Sequence, residues 1–355
     1  MIERRTLESG RVSWRVRYYG PDGRERSRSF RLRREAEAYE AKVRIERNRG
    51  DWVDPRRGQV TMTEVWLDYE RLGMGHLRET TKASYRNAWR HVAKTFGAWP
   101  VAKLENADVR EWVTTMSRDC GPDLVRYAHR VLCLVLDHAM RSRRVPANVA
   151  RGIRLPRRPP ARERFLTAPQ VHALTARLGP DGDLVMAMTY LGLRWSEVAA
   201  LRVADVDLTR RRVHVVERAT EVGGRVDVAA PKSAASNRHI AIPGLLLPRL
   251  EQRVAGRDRT ALVFPSPGGG YLRNRNWRTR SGFDEAVEQL NLDVTPHDLR
   301  RTFGSLARAA GADLRWIQKA MGHESITTTA RIYAHLYDDE LDSVAAALDR
   351  IGGAV

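Results

Sequence analysis

Thr295-Pro-His-Asp-Leu-Arg-Arg-Thr302, followed by Met321-Gly-His-Glu324 and Thr328-Thr-Ala-Arg-Ile-Tyr-Ala-His335, is the stretch from which the rest of the chain can be read. Thr295 suits an N-cap and Pro296 the first helical position. His297 and Arg300 then share one face of that helix, near an N-terminus that favours anions. Gly311 closes this helix, Asp313 opens the next and Gly322 closes that one. His323 therefore falls in a tight corner, and Tyr333 lies near the end of the segment that begins at Ser325. A single His at a helix start, or a single Tyr ending an apolar helix, is ordinarily packing. The ordered set of two imidazoles, one guanidinium and one phenol points to phosphate chemistry without a metal.

Length and charge agree with a large anionic partner. The chain has 355 residues, enough for two or three domains, and a net charge of +19. Each neutralised phosphate releases counterions, so nucleic acid is the expected ligand. Cys120 and Cys133 lie in apolar helical surroundings and form no ligand pattern, so both are expected to be reduced core residues. No apolar run reaches membrane-spanning length, and the N-terminus lacks a signal-peptide core, so a cytoplasmic site of action without membrane contact is expected.

Residues 1–58 carry 17 Lys and Arg against 10 Asp and Glu. Val12, Trp14, Val16 and Tyr18 alternate with Arg11, Ser13, Arg15 and Arg17, the pattern of a half-buried strand. After a turn at Gly20-Pro-Asp-Gly23, Arg24, Arg26 and Arg28 line one face of a second strand. A helix over 32–49 ends at Gly50. A small sheet with such arginine faces is a candidate DNA reader, because β-ribbons enter the major groove. Asp54-Pro-Arg-Arg-Gly58 reads as a linker.

Residues 59–155 turn helical. Val65, Tyr69 and Leu72 mark one helix, and Tyr85, Trp89, Val92 and Phe96 the buried face of the next. Lys82, Arg86, Arg90 and Lys94 recur every four residues on another face, as a solvated stripe or a phosphate-tracking one. Two further helices, over 108–116 and 123–143, complete a bundle core. Residues 156–162 form a basic, proline-rich linker in which Arg157 and Arg158 would suit a strap along a phosphate backbone.

The last region, 163–355, mixes helices and short strands. Thr167 and Gln170 form a capping box. An apolar helix over 184–191 ends near Gly192. Gly192-Leu-Arg-Trp-Ser-Glu-Val-Ala-Ala-Leu201 then places Arg194 just before a helix that Ser196 can cap. An arginine between two buried segments is costly without an anionic partner. Residues 213–216, 225–229 and 239–242 alternate as three short strands, with Gly223-Gly224 a hairpin turn. A helix is expected from about Asn276 to Gln289, with Asn274, Arg275, Trp277 and Arg278 near DNA. Residues 338–351 follow helical spacing. The fold class is thus mostly α with small β-sheets: a sheet-plus-helix N-terminal domain, a helical bundle and a mixed α+β C-terminal domain.

Gly-Leu-Arg-x-x-Glu-x-x-x-Leu at 192–201, His-x-x-Arg at 297–300, Gly-His at 322–323 and Tyr333, taken together, resemble the tyrosine recombinase (phage integrase) family. The resemblance implies an arm-type DNA-binding domain at 1–58, a helical core-binding domain at 59–155 and a catalytic domain at 163–355. It assigns catalysis to Arg194, Lys232, His297, Arg300, His323 and Tyr333. Tyr333 is then the nucleophile, and Glu197 an orienting group. Lys232, in the connection Pro231-Lys-Ser-Ala-Ala-Ser236, matches the family's hairpin lysine. Arg194 and Arg300 would grip the non-bridging oxygens, His297 would act as base, His323 would bond a phosphate oxygen, and Lys232 would protonate the departing 5′ oxygen. The product would be a 3′-phosphotyrosyl link, with no cofactor and no metal. Implied partners are double-stranded DNA with core-type and arm-type sites, a homotetramer on two duplexes, a host DNA-bending protein and an excision factor. The terminal helix would pack on its own domain or on a neighbouring protomer. The competing functions are a type IB topoisomerase and a non-catalytic DNA-binding regulator.

Overall fold

The computed structural model describes residues 1–6, 8–20, 23–49, 52–54, 56–159, 164–231, 234–334, 345, 348–351 and 353. The chain divides into two compact units, Met1–Pro160 and Ala161–Val355.

The first unit opens with an antiparallel sheet of β1 (Ile2–Thr6), β2 (Val12–Tyr19) and β3 (Glu25–Phe30), in that order. β1 has no alternating apolar pattern and was not anticipated. Helix α1 (Arg33–Arg49) covers one face. Register decides which side chains it covers. Val16 opposes Arg28 and Tyr18 opposes Arg26, whereas Arg15 opposes Ser29 and Arg17 opposes Ser27. Directly opposed residues share a face. Arg26 and Arg28 therefore lie on the side of buried Val16 that α1 packs against; Arg26 is half-buried there and Arg28 stays exposed at the rim. Arg26 makes a bidentate pair with Asp54 at 3.0 and 2.7 Å, and its guanidinium lies 4.9 Å above the Trp52 ring. Arg28 lies 5.0 Å above the Tyr39 ring. The strand face that carries Arg26 and Arg28 is thus the aromatic one on which α1 packs: Arg26 is turned inward to Asp54 and Trp52, while Arg28 and Arg24, which precedes the strand, remain exposed. Arg15 and Arg17 occupy the open face, where Arg17 pairs with Glu25. Asp54, read as linker, anchors to β3 through Arg26.

The bundle follows: α2 (Met62–Gly73), α3 (Glu79–Phe96), α4 (Asn106–Asp119) and α5 (Pro122–Arg141). Thr61 and Glu64 form a reciprocal capping box that starts α2. Trp66 of α2 stacks on Trp89 of α3 with centroids 4.9 Å apart. Val125, Val131, Leu132 and Val135 of α5 are fully buried between them. The α2 seam runs through Met62, Val65, Trp66 and Tyr69. Leu72, expected in it, lies in the final turn and is 64% exposed. The stripe on α3 is outward: Arg86, Arg90 and Lys94 are exposed, although Arg86 pairs with Glu70 and Lys82 with Glu79 at 2.7 Å. Residues 152–159 have no regular structure; Arg157 and Arg158 are exposed, and Arg158 pairs with Asp123. Cys120 and Cys133 are free thiols.

In the second unit, α6 (Ala168–Arg177) starts with the Thr167/Gln170 capping box. Apolar α7 (Gly182–Leu191) runs through the core, and α8 (Trp195–Val198) follows. Five strands appear where three were expected: β4 (Val206–Asp207), β5 (Arg212–Val215), β6 (Arg218–Val222), β7 (Arg225–Ala229) and β8 (Arg238–Ala241). They form two sheets, β4-β5-β8 and the hairpin β6-β7. Gly223 and Gly224, both at positive φ, make the hairpin turn. β6 escaped notice because its Arg218, Thr220 and Glu221 hide the apolar alternation. After α9 (Leu247–Val254), the single helix expected near 276–289 is broken at Gly282 into α10 (Asn274–Ser281) and α11 (Phe283–Gln289). Trp277, expected near DNA, is 1% exposed and donates to Asp181 at 2.9 Å. The unit continues with α12 (Pro296–Ala309), α13 (Leu314–Met321) and α14 (Ile326–Tyr333). Among the described residues no helix is long and apolar enough to cross a membrane. Most of the terminal segment 338–351 lies outside the described residues; Leu348 and Ile351 are exposed.

Candidate active site

Local capping places each polar group. Arg194 itself, and not Ser196, is the N-cap of α8, because Glu197 reaches back from the third helical position. The Glu197 carboxylate accepts the Arg194 backbone N–H at 2.9 Å and its guanidinium at 2.6 Å. Thr295 caps α12 in a box with Asp298, which puts Arg300 one turn inside. Asp313 caps α13, and left-handed Gly322 ends it.

The end of α13 is the centre of the site. A helix C-terminus leaves carbonyls without intrahelical partners and carries partial negative charge. Here three successive carbonyls are each taken by a different arginine. Arg238 donates from Nε to Ala320 O at 2.7 Å. Arg300 donates to Met321 O and also to Gly192 O. Arg194 donates to Gly322 O at 3.2 Å. All three guanidiniums also surround Glu197: Arg194 at 2.6 Å, Arg238 at 3.0 Å and Arg300 at 3.6 Å. Glu197 is 4% exposed. Burial works to raise its carboxyl, but Arg238, Arg300 and Arg194 overcome it and hold the pKa at about 2. Arg300 is 1% exposed; burial depresses its pKa while Glu197 raises it.

Two imidazoles border this hub. His297 is exposed on the first turn of α12, and its ring has no hydrogen-bond partner among the described residues. Burial of its surroundings, then Arg301 and Arg300, depress its pKa, so the ring is neutral near pH 7. His323, half-buried just after Gly322, bonds Thr329 Oγ1 through Nδ1 at 2.9 Å. Burial and the neighbouring arginines push it down to about 4.

Tyr333 departs from the expectation that its hydroxyl faces the arginines. The residue is fully buried at the end of α14, in a cluster with Phe303, Ile317 and Met321. Its hydroxyl donates to Arg301 O at 3.1 Å and touches Met321 Sδ at 3.4 Å. Phe165 stacks on the ring at 5.9 Å. Gly304 makes the space, since a Cβ there would lie 2.3 Å from Tyr333 Cζ. Burial raises the phenol pKa, against a smaller opposing pull from Arg300 and Arg301. Met321 separates the two environments: its carbonyl faces Arg300 and its sulfur faces the phenol.

The structure thus gathers Arg194, Glu197, Arg300 and His323 around one turn, with His297 on the adjoining helix and Tyr333 behind it. Lys232 lies outside the described residues. Arg238 was missed by the sequence reading; its signal was an arginine in phase with inward-facing Ile240 on β8. No three His, Cys, Asp or Glu side chains among the described residues come together as metal ligands.

A helical catalytic unit with this arginine–histidine–tyrosine set is that of a tyrosine recombinase. Comparison with known proteins agrees. Residues 164–340 match the model of the phage integrase family. A prophage phiRv2 integrase of Mycobacterium tuberculosis is 27% identical over 98% of this chain and 94% of its own length. The Tn1549 transposon integrase, solved with circular intermediate DNA, superposes with TM-score 0.69 at 20% identity, covering 82% of this chain and 99% of that one. A lambda integrase tetramer bound to a Holliday junction gives TM-score 0.62 at 16% identity, covering 91% of this chain and 96% of that one. The chain belongs to the phage integrase family.

Proposed function

We propose that the protein is a site-specific DNA recombinase that integrates or excises mobile DNA through a 3′-phosphotyrosyl intermediate. The observation that carries this reading is the convergence of Arg194, Arg300 and His323 on one turn, one residue from the Tyr333 hydroxyl. The phenol oxygen attacks the scissile phosphorus, the P–O5′ bond breaks, and the phenolic proton passes to His297 or water. Lys232 supplies the proton that the departing 5′ oxygen needs. In the second half a 5′ hydroxyl of another strand attacks the phosphotyrosyl link, and the phenol regains its proton. The ester's energy is retained, so rejoining needs no nucleotide. Guanidiniums stabilise the charge that develops on the non-bridging oxygens.

In the state described, the phenol is withdrawn, and Arg300 gives one donor of each terminal nitrogen to a backbone carbonyl and keeps the others. Attack requires α14 to release Tyr333 from its pocket and deliver the phenol to the phosphate that the arginines grip. Double-stranded DNA is the substrate. The open face of the N-terminal sheet, with Arg15 and Arg17, is the candidate for arm-type DNA. The outer face of α3 and Arg157 and Arg158 are candidates for core-type DNA. A homotetramer on two duplexes is the working assembly, in the cytoplasm of a bacterial host. A host DNA-bending protein and an excision factor are the accessory partners to seek.

The test is a nicked duplex, labelled at the 5′ end of the cleaved strand, chosen by wild-type trapping from a pool with a randomised core. Wild type should form a covalent adduct, and Tyr333→Phe should form none. Relaxation of any supercoiled plasmid by the monomer would instead mark a topoisomerase, and DNA binding without an adduct a regulator.

A further inference from the structure

Arg238 has the credentials of a site residue, yet it lies outside the six that the family resemblance assigns. It is 8% exposed, on the inward face of β8 beside Ile240. All three of its guanidinium nitrogens donate. Nε donates to Ala320 O at 2.7 Å, the first of the three carbonyls at the end of α13. Nη1 donates to Ser236 O at 3.1 Å and to Glu197 at 3.2 Å, and Nη2 to the other Glu197 oxygen at 3.0 Å. Its stem also lies under the left-handed turn before His323: a Cβ on Gly322 would meet Arg238 Cδ at 3.1 Å and Ala235 O at 2.8 Å. One planar fork thus joins α8, the close of the β7–β8 connection and the end of α13. A buried carboxylate attracts every guanidinium within reach. Without Arg238 opposite both of its oxygens, Glu197 would draw Arg194 and Arg300 more tightly onto itself and away from a phosphate.

We propose that Arg238 is a positioning residue of the strand-transfer site: it occupies Glu197 and clamps the α13 end, so that Arg194 and Arg300 keep donors available to the scissile phosphate. This rests on the recombinase reading above. Arg238 acts through the two arginines and has no contact with DNA in the reaction. Its effect must therefore depend on the charge of the phosphate they grip. Lysine cannot replace it, because a point charge cannot bridge Glu197, Ser236 O and Ala320 O together.

The experiment uses the full-length protein and the trapped nicked duplex, with the cleavage position mapped by wild type. It compares adduct formation on the normal diester with that on a methylphosphonate at the same position, where one charged oxygen is a methyl group. Arg238→Met should slow cleavage of the diester by about 100-fold but of the methylphosphonate by less than about 10-fold, at near-unchanged DNA affinity. Arg238→Lys, which keeps the charge and most of the stem, should show the same pattern at about a tenth of the loss. Equal losses on both substrates would mean a general folding defect and would overturn the assignment, as would an Arg238→Lys protein with wild-type rates on both. If wild type itself forms no adduct, the recombinase reading fails and this one falls with it. A normal wild-type adduct with equal losses overturns Arg238 alone.

Discussion

Met321 divides the catalytic unit into two environments that solve opposite problems. On its carbonyl side, two buried guanidiniums, the half-buried Arg194 and one buried carboxylate come together, and each charge is met by another charge or by a carbonyl at the end of α13. On its sulfur side, a phenol is buried among Phe165, Phe303 and Ile317 with a single backbone acceptor. The first is held by many mutually dependent interactions. The second is held by shape, chiefly the absent side chain of Gly304. A polar hub of this kind is expensive to break and so stays assembled. An apolar seat with one hydrogen bond can be vacated whole by a single helix. On the mechanism proposed above, this difference makes the arginines the fixed part of the reaction and Tyr333 the part delivered to it.

The largest expected effect tests the fixed side. Glu197→Gln removes the charge that compensates buried Arg238 and Arg300 and half-buried Arg194, and should cost about 3–5 kcal/mol of unfolding free energy in urea. A loss below about 1 kcal/mol would show that the hub is held by something else. On the movable side, Gly304→Ala drives a methyl group into the Tyr333 ring and should cost about 1–3 kcal/mol. The same change should release the phenol, so that one additional tyrosine titrates near about 10. Phenolate absorbance, with Tyr333→Phe as the blank, reads this directly; an unchanged titration would mean that the backbone yields and the ring stays.

A smaller effect separates the hub from its rim. His323 has a folded pKa near 4, below the unfolded value of about 6.5. Its contribution to stability is therefore complete above about pH 6.5 and is lost as pH falls through about 4. Unfolding free energy should decline over that window, and His323→Gln should flatten the decline. A decline confined to lower pH would assign it to Glu197 instead, whose pKa is held at about 2.

The N-terminal sheet repeats the contrast on a small scale. Arg26 is committed to Asp54 and Trp52 under α1, whereas Arg15 stands on the open face. Arg26→Gln should lower stability by about 1–3 kcal/mol. Arg15→Gln should leave stability unchanged but, if this face meets DNA, weaken binding and reduce the salt slope by about one. The reverse result would restore the face inferred from the sequence.

Much of this was legible beforehand because it is local. Thr295, Pro296, Asp313, Gly322 and Thr167 set helix ends within a few residues, by capping chemistry that needs no tertiary contact. The same local signals located Arg194, His297, Arg300, His323 and Tyr333 along the chain. The side of the sheet on which Arg26 and Arg28 lie was not legible, because alternation gives two faces without saying which one a helix will cover. Trp277 and Leu72 were misplaced for a related reason: one helix broke at Gly282, and another ran past its seam.

What the sequence determined alone was the list of chemical groups and the helices that carry them, because hydrogen bonding and φ/ψ preferences act over a few residues. Only the tertiary structure could decide that Arg238 joins Arg194 and Arg300 around Glu197, and that Tyr333 is held away from them. Those outcomes depend on groups from separate helices and strands, far apart along the chain, competing for one buried carboxylate and one vacant space, and no local pattern encodes the winner.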